Sequence, residues 1–333
     1  MSAADPATFP PVPQAEAAEA AEAAEDAAEE SSAFAHAPVP PDATAAYGDH
    51  PDQVVDFYRP RRPGAGPAPL VALLHGGAWR AAHDRAHLSP LAAHLAGHGY
   101  AVASIEYRRG AAPARPRPAE DGPAPVPAPA PAEQAPDGPE PALPPAGWWP
   151  GTFHDVAAVV DALPELAVAA LGAAAVDPRR IVLSGHSAGG HLALWAAARN
   201  ALPADSPWHR PSPPPLRGVV ALAPIADFTS AIRLRVCSDA VIGLLGGPDH
   251  LTDRLPHADP ASLLPTGIAT TIVHGTTDNT VPPQVSAAFA RAAAAAGEEI
   301  VTAWLPATGH FPLIDPSSPA CAAVADEIAQ LAW

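Results

Sequence analysis

From residue 53 to the end of the chain, short apolar runs alternate with longer Ala- and Leu-rich segments, several of which end at a glycine. The run at 70–74 is apolar at every position, as expected of a strand that is buried on both faces. This alternation predicts an α/β protein with a mainly parallel, doubly wound sheet. Strands are predicted at 54–58, 70–74, 100–105, 181–184, 219–222, 271–273 and 300–304, and helices at 88–96, 152–163, 190–199, 283–296 and 320–331.

Residues 1–46 do not follow this pattern. The Ala/Glu run at 14–30 contains good helix formers but has no apolar face, and its acids recur three residues apart without a basic partner. We predict a disordered acidic leader, which is either a solvated, transient helix or an arm that binds a partner. The folded domain is predicted to span 47–333.

A second interruption lies at 111–146, which contains 13 prolines. Because proline is excluded from helix interiors and central strands, we predict a disordered, extended insertion within one domain. The mixed segment at 227–264 is predicted to be a small helical cap that shapes the pocket.

Charge and composition argue against several classes of function. The net charge of −17 disfavours nucleic acid and anionic membranes as partners, and nine of the acidic residues lie within 1–46. Two cysteines, Cys237 and Cys321, lack metal-ligand spacing and indicate a reducing compartment. We find no secretory signal and no apolar stretch of membrane-spanning length, so we predict a cytoplasmic protein.

The strongest chemical signal is Gly185-His186-Ser187-Ala188-Gly189, which matches the G-x-S-x-G pattern of a nucleophile elbow. A serine on a tight turn between a strand and a helix needs small neighbours. The helix that follows also points its N-terminal N–H groups at developing negative charge. We therefore predict that Ser187 is a nucleophile and that the N–H of Ala188 is an oxyanion donor.

The second signal is the His-Gly-Gly-Ala-Trp sequence at 75–79, directly after an apolar run. Acyl transfer needs backbone N–H donors around the oxyanion, and adjacent glycines let the backbone approach the substrate closely. Gly76 and Gly77 are the predicted donors of this loop. His75 is expected to brace the glycines, and Trp79 either to line the loop or to brace it.

Asp278 and His310 each follow a predicted strand, where the active-site loops of open α/β sheets gather. A serine hydroxyl is a weak nucleophile near neutral pH, so it needs a base, and that base needs an orienting carboxylate. We predict His310 as the base and Asp278 as the acid. Asp315 and Asp249 are the alternatives for the acid.

Three further residues are candidates for the substrate pocket. His186 flanks the predicted nucleophile, Trp79 ends the glycine motif, and Trp149 belongs to a Trp-Trp pair that either walls the pocket or packs in the core. No cluster has metal-ligand spacing and no glycine-rich phosphate loop is present, so we expect no metal and no other cofactor.

Together, these motifs resemble the esterase/lipase branch of the α/β-hydrolases, and within it the kynurenine formamidase-like and BD-FAE-like esterases. The likeness rests on the H-G-G-x-W loop at 75–79 and the G-H-S-A-G-G elbow at 185–190. Segments 104–109 and 149–156 also fit, and the likeness covers 47–333. It implies the α/β-hydrolase fold and cofactor-free hydrolysis of esters or formyl-anilides through an acyl-enzyme.

We therefore expect a serine hydrolase that cleaves a small carboxylic ester with a Ser-His-Asp triad. The alternatives among enzymes are an arylformamidase that acts on N-formylkynurenine-type amides and a small-peptide hydrolase. A non-catalytic hydrolase-fold binding protein is the alternative of another class, and an intact Ser-His-Asp set disfavours it. The expected partner is a small-molecule ester or amide substrate, and the oligomeric state stays open.

Overall fold

The computed structural model describes residues 12–62, 64, 66–110 and 146–333, with side chains from residue 23 onward. Within them, an eight-stranded sheet has the order β1-β2-β4-β3-β5-β6-β7-β8. The strands are β1 (Ala43–Ala46), β2 (Val54–Tyr58), β3 (Ala68–Leu74), β4 (Ala101–Ile105), β5 (Val176–His186), β6 (Gly218–Leu222), β7 (Thr270–Gly275) and β8 (Val301–Leu305).

The direction of the strands follows the predicted pattern. β1 and β2 are antiparallel to their neighbours, and all other pairs in the sheet are parallel. Every residue of β3 is buried, which explains its continuous apolar sequence. The predicted α/β fold with a mainly parallel sheet is therefore confirmed, and the carboxyl ends of β5 to β8 lie along one edge.

Helices cover both faces of the sheet. In β3, Leu70 and Leu74 pack on one face, whereas Val71 and Leu73 pack on the other, as the two-residue period of a strand requires. The α-helices are α1 (Val12–Phe34), α2 (Ser89–Gly97), α3 (Gly151–Leu171), α4 (Ala188–Ala197), α5 (Phe228–Arg233), α6 (Val236–Leu244), α7 (Leu251–Ala258), α8 (Gln284–Ala295) and α9 (Pro319–Ala332).

The segment predicted as a cap, 227–264, consists of α5, α6 and α7 with short 3₁₀ turns between and after them. Asp227 caps the start of α5 by accepting a hydrogen bond from the N–H of Ser230 at 2.6 Å. Phe228 of α5 is fully buried against Trp79, with 6.0 Å between ring centroids. This contact joins the cap to the loop that follows β3.

The N-terminal segment differs from the prediction. Residues 12–34 form α1, and residues 43–46 form the edge strand β1. A helix and an edge strand thus stand where we expected a disordered leader, and residues 1–11 lie outside the described part. The Ala/Glu run has no repeating apolar face. Residues at the carboxyl end of α1, such as the buried Ala33, contact the hydrophobic core.

The proline-rich insertion at 111–146 lies outside the described residues, except for Ala146, which is buried in the core. Among the described residues, no helix has the length and apolar character needed to cross a membrane.

Candidate active site

Ser187 lies on the tight turn between β5 and α4. Its backbone has φ 57° and ψ −118°, a strained conformation for a residue with a side chain. A Cβ at Gly185 would collide with the carbonyl group of Gly189, and a Cβ at Gly189 would collide with the carbonyl group of Leu74. The glycines of the motif are therefore required by the closeness of strand and helix.

Neighbouring backbone holds this turn in place. The N–H of Ser187 donates to the carbonyl of Leu222 at the end of β6, at 2.8 Å. The carbonyl of Ser187 accepts from the N–H of His191 at 3.1 Å and from that of Ile225 at 3.3 Å. With both backbone groups bonded, the strained turn is kept and its side chain borders a cavity.

His310 and Asp278 come together at the carboxyl ends of β8 and β7. His310 Nδ1 lies 2.6 Å from Asp278 Oδ2, and both side chains are buried. Because the carboxylate binds Nδ1, Nε2 is the ring nitrogen that remains for a proton transfer. His186 Nε2 donates to the carbonyl of His310 at 3.0 Å, which ties this loop to the turn of Ser187.

The surroundings of Asp278 favour its ionised form. Its Oδ1 accepts hydrogen bonds from the N–H groups of Thr280 at 2.9 Å and Val281 at 2.8 Å. Burial by itself would raise the pKa of Asp278, but the adjacent His310 and His274 outweigh it and lower the pKa below its usual value. A carboxylate that stays ionised at neutral pH is the form that can orient and stabilise an imidazolium.

His274, the residue before the last of β7, also contacts Asp278. Its Nε2 lies 3.2 Å from Asp278 Oδ2 and donates to the carbonyl of Val281 at 2.9 Å. Its Nδ1 lies 2.7 Å from Ser286 Oγ, and the ring is fully buried. His274 therefore acts as a positioning residue for the carboxylate.

The glycine motif forms a sharp loop beside Ser187. A Cβ at Gly76 would lie 3.2 Å from the Cβ of Ser187, a tight contact that glycine avoids. Gly77, Ala78 and Trp79 all have positive φ, of 104°, 51° and 56°. The loop thus turns its backbone towards Ser187, next to the first N–H groups of α4, which have no partner within the helix.

A buried charged network holds this loop from beneath. His75 Nε2 lies 2.8 Å from Glu106 Oε1, its Nδ1 lies 2.8 Å from the carbonyl of Gly76, and its ring stacks on Tyr107. Arg109 also binds Glu106. Burial opposes ionisation of Glu106, but His75 and Arg109 outweigh it and lower its pKa to about 2. The expected brace by His75 is present.

An apolar cavity of about 200 Å³ opens over Ser187 and His310. Phe34, Phe311 and Ile314 form one part of its wall, and Ala78 of the glycine loop forms another. The volume is below the roughly 300 Å³ typical of pockets for drug-sized ligands. In the described part of the chain, no three His, Cys, Asp or Glu side chains are grouped to hold a metal ion.

The structure places the three pocket candidates in different surroundings. His186 borders the cavity. Trp79 is fully buried behind the loop, with 5.1 Å between its ring and that of His191. Trp149 packs against Phe153, at 5.1 Å between ring centroids. Neither tryptophan is among the residues that line the cavity. Trp79 braces the loop and the partly buried Trp149 packs against the core, which are alternatives that the sequence left open.

The alternative acids occupy other places. Asp249 is exposed on a 3₁₀ turn of the cap. Asp315 is buried and binds Ser32 Oγ at 2.6 Å and His36 Nε2 at 2.7 Å. Of the three aspartates, Asp278 is the one in hydrogen-bonding contact with the His310 ring.

Sequence reasoning missed several residues around the cavity. Phe34 comes from α1 and Cys237 from the cap, and neither stands in a recognisable motif. Arg80, directly after the glycine motif, donates to the carbonyl of Cys237 at 2.9 Å and so connects the loop to the cap. Only the folded chain brings these distant segments together.

The model of the BD-FAE family matches residues 55–124 and 145–292, which is more than half of the chain. The chain belongs to the BD-FAE family. This assignment makes it an esterase-type α/β-hydrolase, in agreement with the H-G-G-x-W loop and the elbow.

A curated relative supports the same class. The probable isoprenylcysteine alpha-carbonyl methylesterase of Oryza sativa subsp. japonica is 26% identical over 253 residues, which are 73% of this chain and 51% of the relative. The chain therefore spans about half the length of that relative.

Solved structures share the fold of this BD-FAE member. Esterase B from Lactobacillus rhamnosis, inhibited by a tributyrin phosphonate, has a TM-score of 0.65 at 21% identity and covers 97% of each chain. A truncated carbohydrate esterase from gut microbiota has a TM-score of 0.62 at 19% identity, over 87% of this chain and 96% of the other. Thermogutta terrifontis Est2 with bound propionate has a TM-score of 0.57 at 19% identity, over 86% and 92%.

Proposed function

We propose that this protein is a serine carboxylesterase that hydrolyses small esters through an acyl-enzyme. One juxtaposition carries the proposal. Ser187, on its strained turn, borders the same cavity as His310, and His310 Nδ1 is held 2.6 Å from Asp278. A nucleophile, a base and an orienting carboxylate in this arrangement are the parts that acyl transfer from an ester requires.

In the acylation step, Ser187 Oγ attacks the carbonyl carbon of the ester while His310 Nε2 takes its proton. Asp278 stabilises the imidazolium that forms. The N–H groups of Gly77 and Ala188, with that of Gly76, stabilise the negative charge on the former carbonyl oxygen. The alcohol then leaves with the proton from His310, and the acyl group stays on Ser187.

In the deacylation step, His310 takes a proton from water, and the resulting hydroxide attacks the acyl carbon. The same N–H groups stabilise the second oxyanion. The Ser187 oxygen leaves and recovers its proton from His310, so a carboxylic acid is released and the free enzyme returns.

The size and polarity of the cavity favour a small ester with an apolar acyl or alkyl group. An apolar wall contributes binding energy through the methylene groups it removes from water. Two solved structures of the same fold contain a tributyrin phosphonate and propionate, and a short chain here is in keeping with these ligands.

Replacement of Ser187 tests the mechanism. In S187A we expect loss of ester hydrolysis and of labelling by a fluorophosphonate probe, with an unchanged fold. Ser184, buried three residues earlier on β5, supplies the matched control, and S184A should retain both activities. Hydrolysis that persists in S187A would contradict the assignment. A wild-type protein that neither hydrolyses esters nor reacts with the probe would instead be a binding protein.

A substrate panel separates the proposal from its enzymatic alternatives. We expect p-nitrophenyl acetate and butyrate to be turned over with a higher kcat/KM than N-formylkynurenine or a short peptide amide. A clear preference for N-formylkynurenine would make the protein an arylformamidase that uses the same residues.

A further inference from the structure

We propose that the carboxyl-terminal end of α1 is part of the substrate site and that Phe34 limits the length of the ester chain that the cavity accepts. The inference rests on the proposed esterase function and adds a specificity-determining residue to it. It concerns a segment that lies more than 150 residues before Ser187 in the sequence and outside the residues matched by the family model.

Phe34 bridges the two loops on either side of Ser187. Its ring stacks on His83 at 5.4 Å between centroids, just after the glycine loop. On the opposite side it lies 5.6 Å from the ring of Phe311, the residue after His310. His87 contacts it edge-on at 5.4 Å. The partly exposed phenyl ring thus lines the cavity between His83, which follows the glycine loop, and Phe311, which follows the base.

The residues around Phe34 hold it in place. Ser32 Oγ donates to Asp315 Oδ2 at 2.6 Å, and His36 Nε2 lies 2.7 Å from Asp315 Oδ1, so one buried carboxylate binds the chain on both sides of the ring. Glu29 Oε1 accepts from the N–H of Gly309 at 3.0 Å. The end of α1 is therefore docked on the loop of His310 rather than lying loosely across it.

This arrangement makes the ring a barrier of fixed position. A phenyl group held by contacts on several sides cannot turn aside without losing them, so a chain that reaches it meets a closed wall. Removal of the ring would widen the cavity beside Phe311 and Ile314, whose side chains are apolar. Each further methylene group buried there would favour the longer ester by about fourfold.

The chain-length profile of kcat/KM tests this inference in the full-length protein. One series varies the acyl chain of p-nitrophenyl esters from acetate to decanoate, and a second varies the alcohol of alkyl acetates from ethyl to octyl. For F34A we expect the ratio of long-chain to short-chain kcat/KM to rise by about tenfold or more in at least one series, as two further methylenes would give.

The opposite substitution and a control sharpen the test. F34W should shift the preferred length towards shorter chains, because a larger ring fills more of the cavity. Ser31 is exposed on the same helix, and S31A should leave the profile unchanged. If F34A loses its fold, F34L and F34W carry the comparison, since both keep an apolar side chain against Phe311.

The outcomes distinguish this inference from the proposed function. An unchanged profile in both series for every Phe34 variant, in a wild type that hydrolyses esters and is labelled at Ser187, would overturn the role of Phe34 alone. Absence of hydrolysis and of labelling in the wild type would overturn the proposed function, and this inference with it.

Discussion

Two loops flank Ser187, and they are held in different ways. The glycine loop, residues 76–80, is supported from inside the protein by the buried pair of His75 and Glu106. The histidine loop, residues 306–311, is supported from outside by the end of α1, through Glu29. Both loops contribute to one cavity, but they meet the rest of the chain in different environments.

The difference corresponds to what each loop does in the proposed mechanism. Oxyanion donors must already point at the developing charge. A buried ionic network is strong because the dielectric constant around it is low, so it keeps the backbone of the glycine loop fixed. The wall formed by Phe34 determines only which chain fits beside the reacting atoms. A surface helix held by a few hydrogen bonds is sufficient for that purpose.

The largest expected effect concerns Asp278, the carboxylate after β7 that binds His310 of the histidine loop. D278N should lower kcat by about 10⁴-fold, because a neutral amide neither stabilises the imidazolium nor keeps His310 in the required tautomer. Steady-state kinetics on p-nitrophenyl butyrate measures this loss. Asp249 is the exposed alternative considered from sequence, and D249N is the control that should keep wild-type kcat. Equal losses in both variants would contradict the assignment of the acid.

The next effect tests the buried support of the glycine loop. E106Q should lower the free energy of unfolding by about 3–5 kcal/mol, because it leaves the buried Arg109 without its anionic partner. Denaturant unfolding measures the change. In the exposed pair of Arg235 and Asp239, D239N should cost less than about 1 kcal/mol. An equal loss of free energy of unfolding in E106Q and D239N would contradict the idea that burial of the Glu106 network makes its charges important for stability.

The smallest effect concerns the attachment of α1. Burial would raise the pKa of Asp315, but hydrogen bonds from Ser317, Ser32 and His36 outweigh it and lower the pKa below its usual 3.8. Its contribution to stability is therefore present above pH 3.8 and is lost as the pH falls below that value. D315N should cost about 2 kcal/mol at neutral pH, and the difference from wild type should shrink on acidification.

Denaturant unfolding of the wild type and D315N between pH 7 and pH 2 measures the difference in free energy of unfolding. Asp205 is exposed in a loop, and D205N should differ from wild type in this free energy by a small amount at every pH. A D315N difference that stays constant as the pH falls below 3.8 would show that the charge of Asp315 does not hold α1 in place.

Most strands of the sheet could be predicted because each gives a short apolar run within its own sequence. The apolar run 70–74 lies within β3, and the run 219–222 lies within β6, since strands buried on both faces need apolar residues at every position. β1 was missed because Ala-Thr-Ala-Ala has no such run. Its pairing is decided by β2 rather than by its own side chains.

The residues of the candidate site that could be predicted are those in a local motif or directly after a predicted strand. Ser187 lies in a motif whose glycines are required by local sterics, and His310 and Asp278 follow strands whose ends meet at one edge. For Trp79 and Trp149 the sequence left two positions open, because an aromatic side chain next to a motif points into the core or into the pocket according to packing, which no local pattern records.

By itself, the sequence determined the α/β architecture, the family resemblance and the position of Ser187, because each of these depends on residues that are close together in the chain. Only the tertiary structure decided that Glu29 and Phe34 lie beside His310, and that Glu106 supports the glycine loop. Those contacts join segments distant in sequence. These contacts form because folding buries apolar surface and pairs buried polar and charged groups with partners. No pattern within the separate segments encodes them.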